Sequence, residues 1–167
     1  NHWKGVARFF RAFRYFQLVQ AYGDVPWIGR SLDIEETDVI YKPRDPRSLV
    51  MDSVLADINF AVDNMRVKDN VANTVNKHVA LALKSRIGLY EGTYRKYHTE
   101  LGLTDAAKFL QAAREASAEL FTAGYALSPD YQAVYNTVDL SSAGPATKEV
   151  LLYKKYVPGF LTHSVIG

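Results

Sequence analysis

Trp27 and Tyr41, with Asp24 and Arg30 nearby, are the residues of this chain best suited to hold a ligand. All four lie in one long connection, GDVPWIGRSLDIEETDVIYKPRD, from Gly23 to Asp45. Flat aromatic rings meet the C–H faces of pyranose sugars, while a carboxylate and a guanidinium satisfy hydroxyl groups. The plainer role for Trp27, between Val25 and Ile28, is an anchor packed on the preceding helix. Tyrosine alone marks nothing here. There are eleven, and a Tyr at a helix end is commonly half-buried with its hydroxyl in water.

Other chemistries find less support. Glycoside hydrolysis needs two facing carboxylates, roughly 5–5.5 Å or 6.5–9.5 Å apart according to mechanism. Glu35, Glu36 and Asp38 sit together in one polar loop, and nothing sets a second carboxylate opposite them. The histidines, His2, His78, His98 and His163, fall in no metal-binding spacing, so no metal site is expected. The absence of cysteine removes thiol nucleophiles, zinc thiolates and iron–sulfur clusters. There is no G-x-S-x-G and no G-x-x-x-x-G-K. The expectation is a non-enzymatic chain without a cofactor.

Charge excludes further classes. A net charge of +2 is too small to predict a polyanionic partner, and nucleic acid is not implied. Lys4, Arg8, Arg11 and Arg14 form a basic stripe. It reads as a solvated or ion-paired helix edge rather than a phosphate track, because no glycines or further basic clusters follow. No apolar run approaches the roughly 20 residues that span a bilayer.

The elements that must position these residues are helices. At 167 residues, 48% hydrophobic and 23% charged, the chain has the size and composition of one folded domain, 1–167. From His2 to Tyr22, Val6, Phe9, Phe10, Phe13, Phe16 and Val19 recur at helical spacing and predict one core-facing stripe. Gly23 should end this helix with positive φ, and Pro26 then pushes Val25 into an extended conformation. Trp27, Ile28, Val39, Ile40 and Tyr41 are expected to pin the long connection across the helices, with at most short extended pairings.

Asp45 as N-cap and Pro46 at the first position predict a second helix, with Leu49, Val54, Leu55, Ile58, Val62 and Met65 inward. Asp52, Asp57, Asn59 and Asp63 should face outward. A third helix is expected from about Asn76 to about His98, through Val79, Leu83, Ile87, Leu89, Tyr90 and Tyr94. Its Ala80, Ala82, Ser85 and Gly88 would let a neighbour approach closely. With Thr104 as cap, Asp105 to Ala123 reads as a fourth helix, with Phe109, Leu110, Ala113, Ser117, Leu120 and Phe121 as its stripe. Starts near 47, 76 and 105 imply consecutive antiparallel helices. A stack of helical hairpins and an ordinary bundle both satisfy that spacing.

After Tyr125 the character changes. Ser128-Pro129-Asp130 predicts a turn before a short helix, Asn136 to Thr147 a polar loop, and Glu149 to Tyr156 a strand without an evident partner. The expected fold is therefore all-α for the most part, with a long aromatic N-terminal helix, a long Pro-containing loop and a short C-terminal extended segment.

Four stretches, in order, resemble the SusD/RagB family of outer-membrane nutrient-binding lipoproteins. They are RAFRYFQLVQAYGDVPW at 11–27, RSLVMDSVLADINFAVDNM at 47–65, VNKHVALALKSRIGLYEG at 75–92, and AGYALSPDYQAVYN followed by KEVLLYKKY. The resemblance implies tetratricopeptide-like helix pairs, an oligosaccharide or peptide ligand, and docking onto a SusC-like TonB-dependent outer-membrane transporter. It implies a location at the cell surface, with membrane attachment only through a lipid anchor outside this chain. The chain begins at Asn1 inside a helical pattern, and the expectation is a fragment of a longer SusD-like protein. The rival reading is a cytosolic helical-hairpin scaffold that holds a peptide or protein in its groove.

Overall fold

A computed structural model describes residues 1–67, 73–137, 140 and 149–157. Helices dominate: α1 (His2–Tyr22), α2 (Thr37–Ile40), α3 (Arg47–Asn64), α4 (Lys77–Tyr97), α5 (Ala106–Thr122) and α6 (Tyr131–Asn136), with a 3-10 turn at Thr99–Leu101. The starts of α3, α4 and α5 fall within one residue of those the sequence predicts.

The long helices form successive antiparallel neighbours. Along α1 and α3, Gly5 lies beside Met65 and Arg11 meets Asp57, so the two run in opposite directions. Between α3 and α4, the Lys77 N–H donates to the Arg66 carbonyl near the connection, while Arg47 meets Glu91 further along. Between α4 and α5, the Ser85 and Ser117 hydroxyls are 2.7 Å apart and Gly92 abuts Leu110. A Cβ added to Gly88 would lie 2.5 Å from the Phe109 carbonyl oxygen and 2.9 Å from the Ala113 nitrogen. Those are backbone atoms, so only glycine permits this approach. The expected small-residue face of α4 is thus the seat of α5.

One apolar core runs through this stack, from Phe9, Phe16 and Val19 of α1, through Val50, Met51, Val54 and Ile58 of α3, to Leu81 and Ile87 of α4 and Phe109 of α5. Fully burying side chains of this size stabilises by roughly 1.5–3 kcal/mol each.

Several facing expectations are corrected. Phe10, Leu49, Leu89 and Phe121 are exposed. Phe10 lies beside the buried line Gly5, Phe9, Ala12, Phe16, Val19, with its ring edge-on to that of Phe9. Phe121 is 82% exposed on a helix whose main packing partner is α4. Asp57, expected outward, is buried because Arg11 and Arg8 reach it from α1.

Glu149 to Tyr156 is no strand in the described residues. Instead the side-chain amide of Asn73 supplies the pairing. Its Oδ1 accepts from the Tyr153 N–H at 2.9 Å, and its Nδ2 donates to the Tyr153 carbonyl at 2.8 Å. Most of the expected loop from Asn136 to Thr147 lies outside the described residues.

Candidate functional site

The long connection is closed at its base by backbone. Val25 and Asp45 form an isolated antiparallel bridge, in which the Asp45 N–H donates to the Val25 carbonyl at 3.3 Å. Gly23 lets the chain leave α1 toward that bridge, with φ 71° and its N–H on the Val19 carbonyl.

The bridge exchanges the roles of two aspartates. Asp45 does not cap α3; Pro46 occupies the N-cap position, where it has no side-chain acceptor. Asp24, on the facing segment, accepts the Arg47 N–H at 2.8 Å and caps the helix from 23 residues away. Asp45 instead accepts the Trp27 N–H at 2.6 Å and meets the Lys42 ammonium at 2.5 Å. Lys42 and then the Trp27 N–H hold its carboxyl below the usual range. Tertiary proximity has replaced the local cap.

Trp27 is seated by α1. Its ring lies 4.4 Å from that of Tyr15, and the Arg11 guanidinium stands 5.1 Å over it. The Tyr15 hydroxyl donates to the Pro26 carbonyl and accepts the Ile28 N–H, fixing the backbone on both sides. Lys42 donates to the Trp27 carbonyl at 3.0 Å. Tyr41, expected to pin the loop, is 82% exposed and Ile40 is exposed beside it, so the pin is Trp27 with Tyr15.

Arg30 is a staple within the loop. Its two terminal nitrogens grip the Glu36 carboxylate, and Glu36 also accepts the Asp33 N–H at 3.0 Å. Those bonds, Arg30 first and then the Asp33 N–H, lower the Glu36 carboxyl to about 2. A carboxylate held so firmly ionised is a poor general acid at neutral pH.

The four candidates do not converge. Asp24 lines a cavity of about 390 Å³ with Arg47 and Tyr94. Arg30 lines another, of about 440 Å³, with Arg8 and Arg11. Trp27 and Tyr41 line neither.

Two features lie beyond the sequence reading. A groove of about 670 Å³ runs between Phe9 and Phe13 of α1, Leu83 and Arg86 of α4, and the segment from Glu149 to Leu152. Long-range docking of that segment, with Val134 and Tyr135 of α6 beside it, walls one side of the groove. The second is a buried ionic cluster joining α3 to α4. Glu91 meets Arg47 at 2.7 Å and Arg95 at 2.8 Å, and the Arg47 guanidinium lies 3.7 Å over the Tyr94 ring. Burial alone would lower the Arg47 pKa, but bonding and charge from Glu91 raise it. The i,i+4 pair Glu91–Arg95 was readable as one helix edge; its partner Arg47 was not.

No family model matches the chain. Among curated proteins, it is 33% identical over 97 residues to SusD-like protein P38 of Formosa agariphila, covering 58% of this chain and 19% of that protein. SusD-like protein P2 of the same organism is 31% identical over 91 residues, covering 54% of this chain and 18% of the relative. Among solved structures, a SusD-like protein from Bacteroides fragilis superposes with a TM-score of 0.58 at 26% identity, covering 74% of this chain and 21% of the other. The chain spans about a fifth of the length of the relatives it matches. In sequence and in fold, this chain is similar to SusD-like proteins over part of their length.

Proposed function

We propose that this chain is one domain of a longer, non-catalytic, oligosaccharide-binding protein of the outer membrane, lipid-anchored outside this segment, that delivers glycans to a SusC-like TonB-dependent transporter. The observation that carries the reading is the likeness, in sequence and in fold, to proteins called SusD-like. The loop chemistry is compatible with it. Tyr41 offers an open ring for a pyranose face, and Trp27, Asp24 and Arg30 hold the surrounding backbone in place. Within the site first read from the sequence, Tyr41 is therefore the ligand-facing member and the other three are its frame.

The second reading, a scaffold for an extended peptide, is favoured by one feature. Residues 149–152 already lie along helices α1 and α4 at the apolar groove, much as a peptide would.

Affinity electrophoresis in gels containing soluble polysaccharides tests the first reading. Retardation by at least one polysaccharide is expected, reduced in Tyr41→Ala with an unchanged circular dichroism spectrum. A folded chain that no polysaccharide retards, yet binds extended peptides, would favour the scaffold.

A further inference from the structure

Three members of the basic stripe of α1, Lys4, Arg8 and Arg11, line one cavity and divide into two parts. Arg11 is fully engaged: Nε and Nη2 grip Asp57, and Nη1 donates to the Gly29 carbonyl. Arg30, across the cavity, is engaged with Glu36 and the Ser31 carbonyl. Together they hold the turn at 28–31 over α1.

Lys4 and Arg8 are the other part, and they line the same cavity of about 440 Å³. Arg8 stands over the Phe60 ring, its Cζ 4.1 Å from the centroid, with the Lys4 ammonium 5.7 Å from the same centroid. The one ion-pair contact of Arg8 among the described residues is from Nε to Asp57, at a loose 3.8 Å. Its terminal nitrogens make no hydrogen bond among the described residues, and neither does the Lys4 ammonium. A guanidinium whose terminal N–H groups are not taken up by protein acceptors can present its planar fork to the two oxygens of an oxyanion. Four cations, Lys4, Arg8, Arg11 and Arg30, line the cavity with no carboxylate among its lining residues, and the carboxylates Asp57 and Glu36 are gripped by Arg11 and Arg30.

We propose that this cavity is an oxyanion site in which Arg8 and Lys4 bind a sulfate, carboxylate or phosphate group, carried on the ligand as a substituent of an acidic sugar. Its chemistry stands on the cavity itself, while the sugar as carrier rests on the glycan-binding reading above. Arg11 and Arg30 are positioning residues that hold the opposite wall.

The test is calorimetric titration of the chain at low salt with a sulfated oligosaccharide, the same oligosaccharide desulfated, and inorganic sulfate. The sulfated form should bind about tenfold more tightly than the desulfated one, a difference of about 1.4 kcal/mol. Added salt should erase that preference, because exposed charges are screened. Lys4→Gln, at an exposed position, should weaken it, and Lys4→Gln with Arg8→Gln should abolish it. Circular dichroism confirms folding, and Arg8→Lys, which keeps the charge but loses the fork, should restore only part of the preference. Inorganic sulfate binding that is lost in the double variant, with neither saccharide bound, would support the oxyanion site and overturn the sugar as its carrier. Equal binding of both saccharides, unchanged in the variants, would overturn the site and leave the glycan reading standing. No binding of any probe would overturn both.

Discussion

The Glu91 carboxylate, wholly buried in α4, meets the Arg47 guanidinium at 2.7 Å, and Arg47 is the first residue of α3. The pair ties the start of one helix to the second half of the next, and Arg95 completes it from the i+4 position.

Removing one partner leaves the other charges buried without compensation, which is costlier than the pair is worth. Glu91→Ala is expected to destabilise the chain by about 3–5 kcal/mol, read from the urea midpoint. Replacement within 1 kcal/mol of the parent would show that the cluster is open to water in solution.

Gly23 carries φ 71° with nothing within 4 Å of an added Cβ. The cost of substitution is therefore conformational rather than steric. Gly23→Ala should lower stability by ~1 kcal/mol or more. Unchanged or higher stability would show that the turn out of α1 adopts another backbone conformation.

Asp24 and Asp45 separate in their effects. Asp24→Ala removes the acceptor for the Arg47 N–H and should cost about 0.5–2 kcal/mol, like other lost helix caps. Asp45→Ala leaves the Trp27 N–H without its acceptor and removes the ion pair with Lys42, so it should also red-shift Trp fluorescence as the loop loosens. If Asp45→Ala alone unravelled the start of α3, by loss of amide-exchange protection at residues 47–50, the local cap would be the true one.

Glu36 gives a pH signature. Its folded carboxyl is lowered to about 2 from an ordinary 4.5, first by Arg30 and then by the Asp33 N–H. A depressed folded value means that the contribution of the pair is present above the unfolded value and is lost as pH falls from about 4.5 toward about 2. A carboxyl-carbon NMR titration should find a midpoint near 2, moving up in Arg30→Gln. A parent midpoint near 4.5 would show that Arg30 and Glu36 do not pair in solution.

The helices were legible because their signals are local. Apolar periodicity, the Gly23 stop of α1, and the small face of α4 around Gly88 each lie within a turn or two of the feature they specify. What escaped depends on distant partners. Periodicity defines a stripe but not which flank a neighbour covers, so Phe10 and Phe121 were misplaced. Asp57 reads as a solvent residue until Arg11 arrives from 46 positions away. The cap of α3 passed to Asp24 because the Val25–Asp45 bridge brings the two ends of the loop together, which no adjacent-residue rule registers. The aromatic candidates were legible as residue types, whereas their division into a frame and one open ring, Tyr41, is a property of the folded loop.

Whether this chain holds a glycan is decided by isothermal titration of the folded 167-residue chain with a panel of neutral and acidic soluble oligosaccharides, with Trp fluorescence followed in parallel. Saturable binding by at least one oligosaccharide is expected, weakened by Tyr41→Ala. A chain that is folded by circular dichroism, binds no oligosaccharide and titrates instead with extended peptides would contradict it.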